Sequence, residues 1–311
     1  MEDIFSLLDN VQKPGDLGVN NRVLVVDGLN LYLRAFAVNG ALNDNGVPVG
    51  GLTGFLRSLA YAIREVNPTR VIIVYDGQGG SQRRRKIHSD YKSNRKPGKR
   101  ITRWDAFKNA TEEKEAMKIQ FSRLLTYLDF LPINVISIDR IEADDTIAYI
   151  AHTLLNKDVT IMSSDQDFLQ LVNERITVWS PTKKKFYTPR MVMDDYGVPA
   201  HNFLMYKTLM GDKSDNIPGV KGLGPKKLPK ILPDLLTQQT LDLDFILEYA
   251  GKGKEPMHKK IVESESQLHI NQELMDLIIE LMVASGFSAS GVALLLSLTK
   301  TAGYCMCCFW S

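Results

Sequence analysis

Four short apolar runs punctuate the first half of the chain. They are RVLVVD (22–27), RVIIVYD (70–76), INVISID (133–139) and VTIMSSD (159–165). Each run is rich in Val and Ile and is bounded by polar residues, which indicates strands buried on both faces. Segments with helical periodicity, such as 52–66 and 112–130, separate the runs. This alternation predicts an α/β fold with a parallel sheet, and the run 176–188, with Pro181 near its middle, predicts an edge hairpin.

Each predicted strand ends in an acidic residue or just before one. Because sites in open α/β sheets form at the carboxyl ends of the strands, a parallel sheet would bring these side chains to one rim. A single strand-ending Asp is commonly a helix N-cap or a turn residue, but the same placement at four strands favours a functional cluster. The acids concerned are Asp27, Asp76, Asp139, Glu142, Asp144, Asp145, Asp165 and Asp167.

The segment EADD (142–145) places three carboxylates within four positions. Two carboxylates about 5 Å apart repel by roughly 3 kcal/mol at an effective dielectric constant of about 20, so a compensating positive charge is required. Mg²⁺ prefers oxygen ligands and keeps several waters, which suits a carboxylate-rich rim. None of the five histidines shows ligand spacing. The sequence therefore predicts that bound Mg²⁺ ions neutralise EADD, and two such ions could activate a water and hold a scissile phosphate.

A second acidic segment, LMGDKSDNIPGVKGLGPKK, occupies residues 209–227. Asp212 and Asp215 are three residues apart and would share one face of a helical turn. Pro225 suits the first position of a new helix, whose first turn would then carry two lysines that oppose the helix dipole. A phosphate bound by the loop amides would resolve that conflict, whereas the alternative is a plain Gly-rich turn. The glycines and lysines of this loop are Gly219, Gly222, Gly224, Lys226 and Lys227.

Charge is unevenly distributed, although the net charge is only +2. Residues 83–103 contain ten Lys or Arg against one acid, Asp90. A basic segment together with an acidic cluster suits a polyanion held near bound metal ions. The basic segment could be a solvated face, or it could bind such a polyanion.

The two ends of the chain bear on its cellular compartment and on whether it could be secreted or membrane-bound. All three cysteines lie in the last seven residues, so we expect no disulfide framework and a reducing, cytoplasmic compartment. The leader 1–20 lacks a signal peptide's basic region, and the Ser and Gly content of 281–298 argues against a membrane span. The leader's apolar residues could dock in a hydrophobic groove on another protein, or could fold back on their own domain. The tail 286–311 is atypical of the rest of the chain.

Five motifs then identify a resemblance. VVDGLN, DYKSNR, IEADDTIA, SSDQDFLQL and GDKSDNIPGVKGLG occur in the order seen in the flap endonuclease family of structure-specific 5′ nucleases. The chain is most similar to the phage ribonuclease H type members, over roughly residues 20–280. The resemblance implies a PIN-like α/β nuclease domain at 21–190, with an arch at about 83–120. We expect this arch, rather than a solvated face, to contain the basic segment, and to be mobile and to order on single-stranded DNA. It also implies a helix–three-turn–helix region at 191–285 that binds duplex phosphates.

The resemblance also implies roles for individual residues. Lys92 and Arg95 match catalytic basic residues at the base of the arch, and Tyr91 is expected to stack on a base. Gly219, Gly222, Gly224, Lys226 and Lys227 match the DNA-binding loop. Two Mg²⁺ ions are expected, with Mn²⁺ as a substitute. Their expected ligands are Asp27, Asp76, Glu142, Asp144, Asp145, Asp165, Asp167, Asp212 and Asp215.

The implied activity is hydrolysis of phosphodiester bonds in 5′ flaps and RNA primers during DNA replication. Flapped or branched DNA and RNA–DNA hybrids are the expected substrates. A sliding clamp or single-stranded-DNA-binding protein is the expected partner of a monomer, located in the host cytoplasm if the chain is phage-encoded. A PIN-type RNA endonuclease is an alternative, but it should lack the GVKGLG loop. A DNA-binding accessory protein without catalysis is a second alternative, but it should have lost one or more of the acids.

Overall fold

The computed structural model describes residues 21–94, 101–104, 107–153, 157–237 and 239–277. The leader 1–20, Arg95 and residues 278–311 lie outside these ranges. The strands are β1 (Arg22–Asp27), β2 (Arg70–Asp76), β3 (Asn134–Ile138), β4 (Asp158–Met162), β5 (Ile176–Ser180), β6 (Lys185–Tyr187), β7 (Gly211–Asp212) and β8 (Ile217–Pro218). The helices are α1 (Gly28–Val38), α2 (Gly50–Val66), α3 (Gln82–Ile87), α4 (Ala110–Asp129), α5 (Ala143–Thr153), α6 (Pro189–Tyr196), α7 (Phe203–Met210), α8 (Leu228–Ile231), α9 (Leu243–Lys252), α10 (Pro256–Glu263) and α11 (Glu265–Met275).

The central sheet has six strands in the order β3-β2-β1-β4-β5-β6. The first five strands are parallel, and β1 lies in the middle, with Val25 paired to Ile72 of β2 and to Ile161 of β4. Strand β6 pairs antiparallel with β5 and closes the edge. Both predictions, the four parallel strands and the edge hairpin at 176–188, are confirmed.

Helices cover both faces of the sheet, because alternate residues of each strand point to opposite sides. On one face, Leu24 and Val26 of β1 join a cluster with α1, α2 and α4. On the other face, Val23 and Val25 join a larger cluster with α5 and most of the helices after residue 200. Strands buried on both faces explain why their sequences are continuous apolar runs rather than alternating ones.

The region after residue 198 is helical and shares the core of the sheet. Phe203 and Leu209 of α7 and Leu268 of α11 belong to the same buried cluster as Val23 and Ile161. The C-terminal helices therefore rest on one face of the sheet and hold their connecting loops beside the strand ends. Within the described ranges no helix is long and apolar enough to cross a membrane, and the uncharged stretch 281–298 lies outside them.

Candidate active site

The carboxyl ends of β1 and β2 carry the first two aspartates of the site. Asp27 ends β1 and caps α1, because its Oδ1 accepts a hydrogen bond from the backbone N–H of Asn30 at 3.1 Å. Its Oδ2 accepts another from the hydroxyl of Ser163, after β4, at 2.9 Å. Asp76 ends β2 and accepts from the backbone N–H of Ala143, the first residue of α5, at 2.9 Å. These hydrogen bonds from helix N-termini orient both carboxylates, as expected for strand-ending aspartates that act as helix caps.

Four side chains form what we term the aspartate cluster: Asp27, Asp76, Asp144 and Asp165. Burial, together with the charges of Asp76 and Asp165, raises the pKa of Asp27 from 3.8 to about 7. Burial and the charges of the other three members raise the pKa of Asp144 well above its usual value. Among the residues that the structure describes, no salt bridge reaches Asp27, Asp144 or Asp165. Asp27 is buried and the other three are half-buried, and clustered carboxylates of this kind are the oxygen ligands that divalent cations prefer.

Glu142 and Asp145 belong to a separate ion-pair network around Arg84. Arg84 is only 3% exposed. Its Nη1 and Nη2 contact the Asp145 carboxylate at 3.0 and 2.8 Å, Nη1 also donates to Glu142, and Nε donates to the carbonyl of Leu274 on α11 at 2.9 Å. The ammonium of Lys92 approaches Glu142 Oε1 at 2.7 Å. This Arg84 network joins α3, the start of α5 and the last described helix.

The charges of Arg84 and Lys92 outweigh burial and lower the pKa of Glu142. In this structure, cations of the protein balance the negative charge of Glu142 and Asp145, and the binding of metal ions by these two residues stays a prediction. The pairing is possible because a planar guanidinium matches two carboxylates at once, which a sequence pattern cannot reveal. The same contacts bury Arg84, so this member of the basic segment belongs neither to a solvated face nor to a mobile arch.

Asp167 and Asp212 share a third cation, Lys207 of α7. Its Nζ lies 2.9 Å from Asp167 Oδ1 and also donates to Asp212 Oδ2. Burial opposes ionisation of Asp212, but Lys207 and Ser214 lower its pKa. Burial and the charge of Asp165 raise the pKa of Asp167 to about 7 in spite of Lys207. In this arrangement no three acidic, His or Cys side chains of the described residues are spaced to hold one metal ion.

The motifs DYKSNR and GDKSDN pack directly against each other. Asp212 and Asp215 do not lie on a helical turn as predicted, because residues 211–218 form the hairpin β7–β8. The backbone N–H of Lys92 donates to the carbonyl of Asp215 at 3.0 Å, and Asn94 Nδ2 donates to the carbonyl of Lys213 at 2.8 Å. These bonds hold Lys92 at a positive φ of 58° and place its ammonium beside the rim. The base of the predicted arch is thus anchored to the second acidic segment.

Tyr91 is buried, and this corrects its predicted role. It is 4% exposed and packs against Ile217, Leu274 and Met275. Its hydroxyl lies 3.5 Å from Glu142 Oε2, and the ammonium of Lys92 lies 4.7 Å from its ring centroid. A ring enclosed in this way cannot stack on a nucleobase in this conformation. Its apolar packing supports the Arg84 network.

The glycine loop follows the hairpin and is exposed at its tip. A Cβ on Gly219 would lie 2.2 Å from the carbonyl oxygen of Met210, and Gly222 has a positive φ of 87°, so both positions require glycine. Gly224 has open space around it. Helix α8 begins at Leu228 rather than at Pro225, and Lys226 and Lys227 lie in the exposed turn before it. The prediction for the first turn of the helix is therefore shifted by three residues, while both ammonium groups remain at the surface.

Comparison with known proteins places this arrangement in a family. Residues 22–197 match the family described as 5′-3′ exonuclease, N-terminal resolvase-like domain, and residues 198–292 match 5′-3′ exonuclease, C-terminal SAM fold. The chain is 33% identical to the 5′-3′ exonuclease of Bacillus subtilis, over 83% of each protein. It is 28% identical to DNA polymerase I of Thermus thermophilus over 85% of this chain but only 30% of that enzyme.

Solved structures agree with these matches. The bacteriophage T5 flap endonuclease, in a pseudo-enzyme–product complex with DNA and metal ions, superposes with a TM-score of 0.64 at 25% identity. That superposition covers 88% of this chain and 95% of the phage protein. The T5 5′-exonuclease bound to zinc gives the same TM-score and identity. The fold, the motif order and these matches confirm the predicted resemblance, and the chain belongs to the 5′-3′ exonuclease family.

Proposed function

We propose that the chain is a divalent-metal-dependent, structure-specific 5′ nuclease that hydrolyses 5′ flaps and RNA primers paired to DNA. The observation that supports this most is the aspartate cluster, whose buried and half-buried carboxylates repel one another at the carboxyl edge of the sheet. Repulsion within such a cluster lowers the stability of the metal-free protein, and bound cations would offset this repulsion. Membership of the 5′-3′ exonuclease family supports hydrolysis of a phosphodiester bond as the reaction, and the aspartate cluster is the proposed site of that reaction.

The residues of the chain would then have distinct tasks. The aspartate cluster would hold one Mg²⁺ ion, and Asp167 and Asp212, near Asp215, would hold a second, with Mn²⁺ as a substitute. The chemistry that two such ions supply is activation of water and stabilisation of charge on the scissile phosphate. Ser163 and Asn30 keep the Asp27 carboxylate oriented. Lys92, whose side chain is 15% exposed, is placed to exchange Glu142 for a substrate phosphate.

Duplex DNA would bind at the glycine loop. Lys226 and Lys227 are exposed, and the ammonium of Lys227 donates to the carbonyl of Gly222 at 3.0 Å, so it is held over the loop. A phosphate approaching Gly222 and Gly224 would meet exposed backbone together with the Lys227 ammonium. The helices that carry this loop rest on the sheet face next to the strand ends, so duplex held here would extend toward the aspartate cluster.

Replacing Lys226 and Lys227 together by Ala should weaken duplex binding equally for different sequences. The log–log slope of affinity against salt should fall by about one to two units, because that many phosphate contacts no longer release counterions. Fluorescence anisotropy over a salt series measures this slope. The matched control is the pair Arg57→Ala and Arg64→Ala, which removes two exposed charges from α2 on the opposite sheet face. Equal slopes for both double variants would show that the loop is only structural.

The proposed activity is tested with one labelled set of substrates. A 5′-labelled DNA flap, the same sequence as a flush duplex, and an RNA–DNA hybrid are incubated with Mg²⁺ or with chelator. We expect release of the flap and shortening of the hybrid from its 5′ side in Mg²⁺, and neither product with chelator. Cleavage of single-stranded RNA alone would favour the PIN-type RNA endonuclease, and binding without cleavage would favour the accessory protein. A clamp or single-stranded-DNA-binding partner, the monomeric state and a cytoplasmic location remain predictions.

A further inference from the structure

Lys207 lies where a charged side chain is out of place. Helix α7 reads FLMYKTLM, and Lys207 is its one ionisable group apart from Tyr206. The residue is 7% exposed, in a helix whose Phe203 and Leu209 are fully buried. A buried ammonium is costly unless it is paired, and here it is paired twice, with Asp167 and with Asp212. We term this arrangement the Lys207 bridge.

The two carboxylates of the Lys207 bridge come from separate parts of the fold. Asp167 begins the turn after β4, and Asp212 ends β7, so they are 45 residues apart in sequence and would repel if left alone. The ammonium holds them together in the metal-free protein. Both belong to the set that the proposed function assigns to the second divalent ion. One cation of the protein therefore already occupies the oxygens that this ion would need.

We propose that Lys207 is a built-in counter-cation that competes with the second divalent ion for Asp167 and Asp212. The proposal rests on the assignment of these two residues in the proposed function. Since like charges repel, an ammonium within hydrogen-bond distance of both carboxylates lowers the affinity of a divalent ion for the same oxygens. Within the described residues, no salt bridge reaches Asp27, Asp144 or Asp165 of the aspartate cluster. The first ion therefore binds tightly and the second weakly, until Lys207 turns away from the pair.

The competition has a consequence for the reaction. A protein with only the aspartate cluster occupied would stay folded and ready without a second ion, because Lys207 keeps Asp167 and Asp212 ordered. Entry of the second ion would release the ammonium beside the site, where a nucleic acid phosphate can accept it. Lys207 is thus a positioning residue for the metal-free state and sets the concentration of metal at which the second ion enters.

The test measures Mn²⁺ binding directly, without substrate. Mn²⁺ is titrated into the metal-free full chain and followed by calorimetry and by electron paramagnetic resonance, for the wild type, Lys207→Met and Lys207→Arg. We expect Lys207→Met to bind the second ion at least about tenfold more tightly, with little change at the first, because a positive charge is removed next to the ion. Lys207→Arg keeps the charge and should resemble the wild type. Lys252→Met, which removes a lysine from an exposed ion pair with Glu248, is the matched control.

Two further variants and a stability measurement separate this inference from the proposed function. Asp212→Asn should abolish the second site, and Asp144→Asn should weaken the first. An unchanged number of ions in Asp212→Asn would overturn the placement of the second ion, and this inference with it. Loss of that ion in Asp212→Asn, combined with equal or weaker second-site binding in Lys207→Met, would overturn the competition alone. The metal-free melting temperature of Lys207→Met should fall below that of the wild type, and Mn²⁺ should restore it.

Discussion

Replacing Asp144 by Asn will abolish Mg²⁺-dependent flap cleavage and will raise the melting temperature of the metal-free protein. Asp144 lies in the aspartate cluster, where burial and three neighbouring aspartates raise its pKa. The amide keeps the shape of the side chain but removes its charge, so metal affinity falls while the repulsion that strains the free protein is relieved. We expect cleavage to fall by at least about a thousandfold, equivalent to about 4 kcal/mol of transition-state stabilisation.

The pH dependence of metal-free stability provides a second measurement of the same residue. A carboxyl group whose pKa is raised in the folded state binds its proton more tightly there than in the unfolded chain. The metal-free wild type should therefore lose stability as the pH rises from about 4 through about 7, the latter being the raised pKa of Asp27 and of Asp167. Asp144→Asn should show a smaller loss, since one such group no longer titrates. Thermal unfolding in chelator at several pH values measures both curves.

Asp139→Asn is the matched control for Asp144→Asn. Asp139 also follows a strand of the sheet, β3, but its side chain is exposed and accepts a long hydrogen bond from Gln78 N–H, at 3.4 Å. The Asp139→Asn variant should cleave flaps at the wild-type rate and unfold at the wild-type temperature. Wild-type cleavage by Asp144→Asn, or an equal loss in the two variants, would remove Asp144 from the site.

Replacing Arg84 by Ala will destabilise the fold more than any other single loss of a basic side chain in α3. Arg84 is the buried partner of both Glu142 and Asp145, and without it two carboxylates lose their main counter-ion inside the protein. Breaking a buried ion pair by removing one partner costs about 3–5 kcal/mol of unfolding free energy. Urea unfolding of the two proteins, monitored by circular dichroism in chelator, measures the difference.

The neighbouring Arg85→Ala supplies the control, because Arg85 has the same side chain in the same helix but is exposed. A surface substitution of this kind should change the unfolding free energy by no more than about 0.5 kcal/mol. Arg84→Ala should also loosen α11, since Arg84 Nε donates to the carbonyl of Leu274. If the two variants unfold at the same urea concentration, the Arg84 network contributes nothing to stability and its buried charges must be balanced in another way.

The strands of the sheet could be predicted from the sequence because burial on both faces requires runs of consecutive apolar residues. The central positions of β1, β2 and β4 are mostly buried from both sides, and this burial produces the Val- and Ile-rich runs. The hairpin β5–β6 and the acids at the strand ends were predictable for the same reason, because neighbours along the chain carry the pattern. The five motifs then indicated the family.

The division of the nine predicted acids among counter-ions depends on the tertiary structure. Arg84 stands in the run RRRK, and nothing in that run distinguishes it from the exposed Arg85 beside it. Lys207 leaves only a weak signal in the sequence, as a single lysine in the apolar helix FLMYKTLM, and its pairing with two aspartates was not predicted. Ser163, which orients Asp27, lies 136 residues further along the chain.

The sequence by itself therefore determined the order of strands and helices, the family and the set of acids. Only the tertiary structure decided that Glu142 and Asp145 pair with Arg84, that Lys207 joins Asp167 to Asp212, and that Tyr91 is enclosed. The physical reason is the separation along the chain of the residues that interact. Periodicity and capping act between residues a few positions apart, whereas ion pairs depend on distances of about 3 Å between side chains that meet only when the sheet and the C-terminal helices pack together.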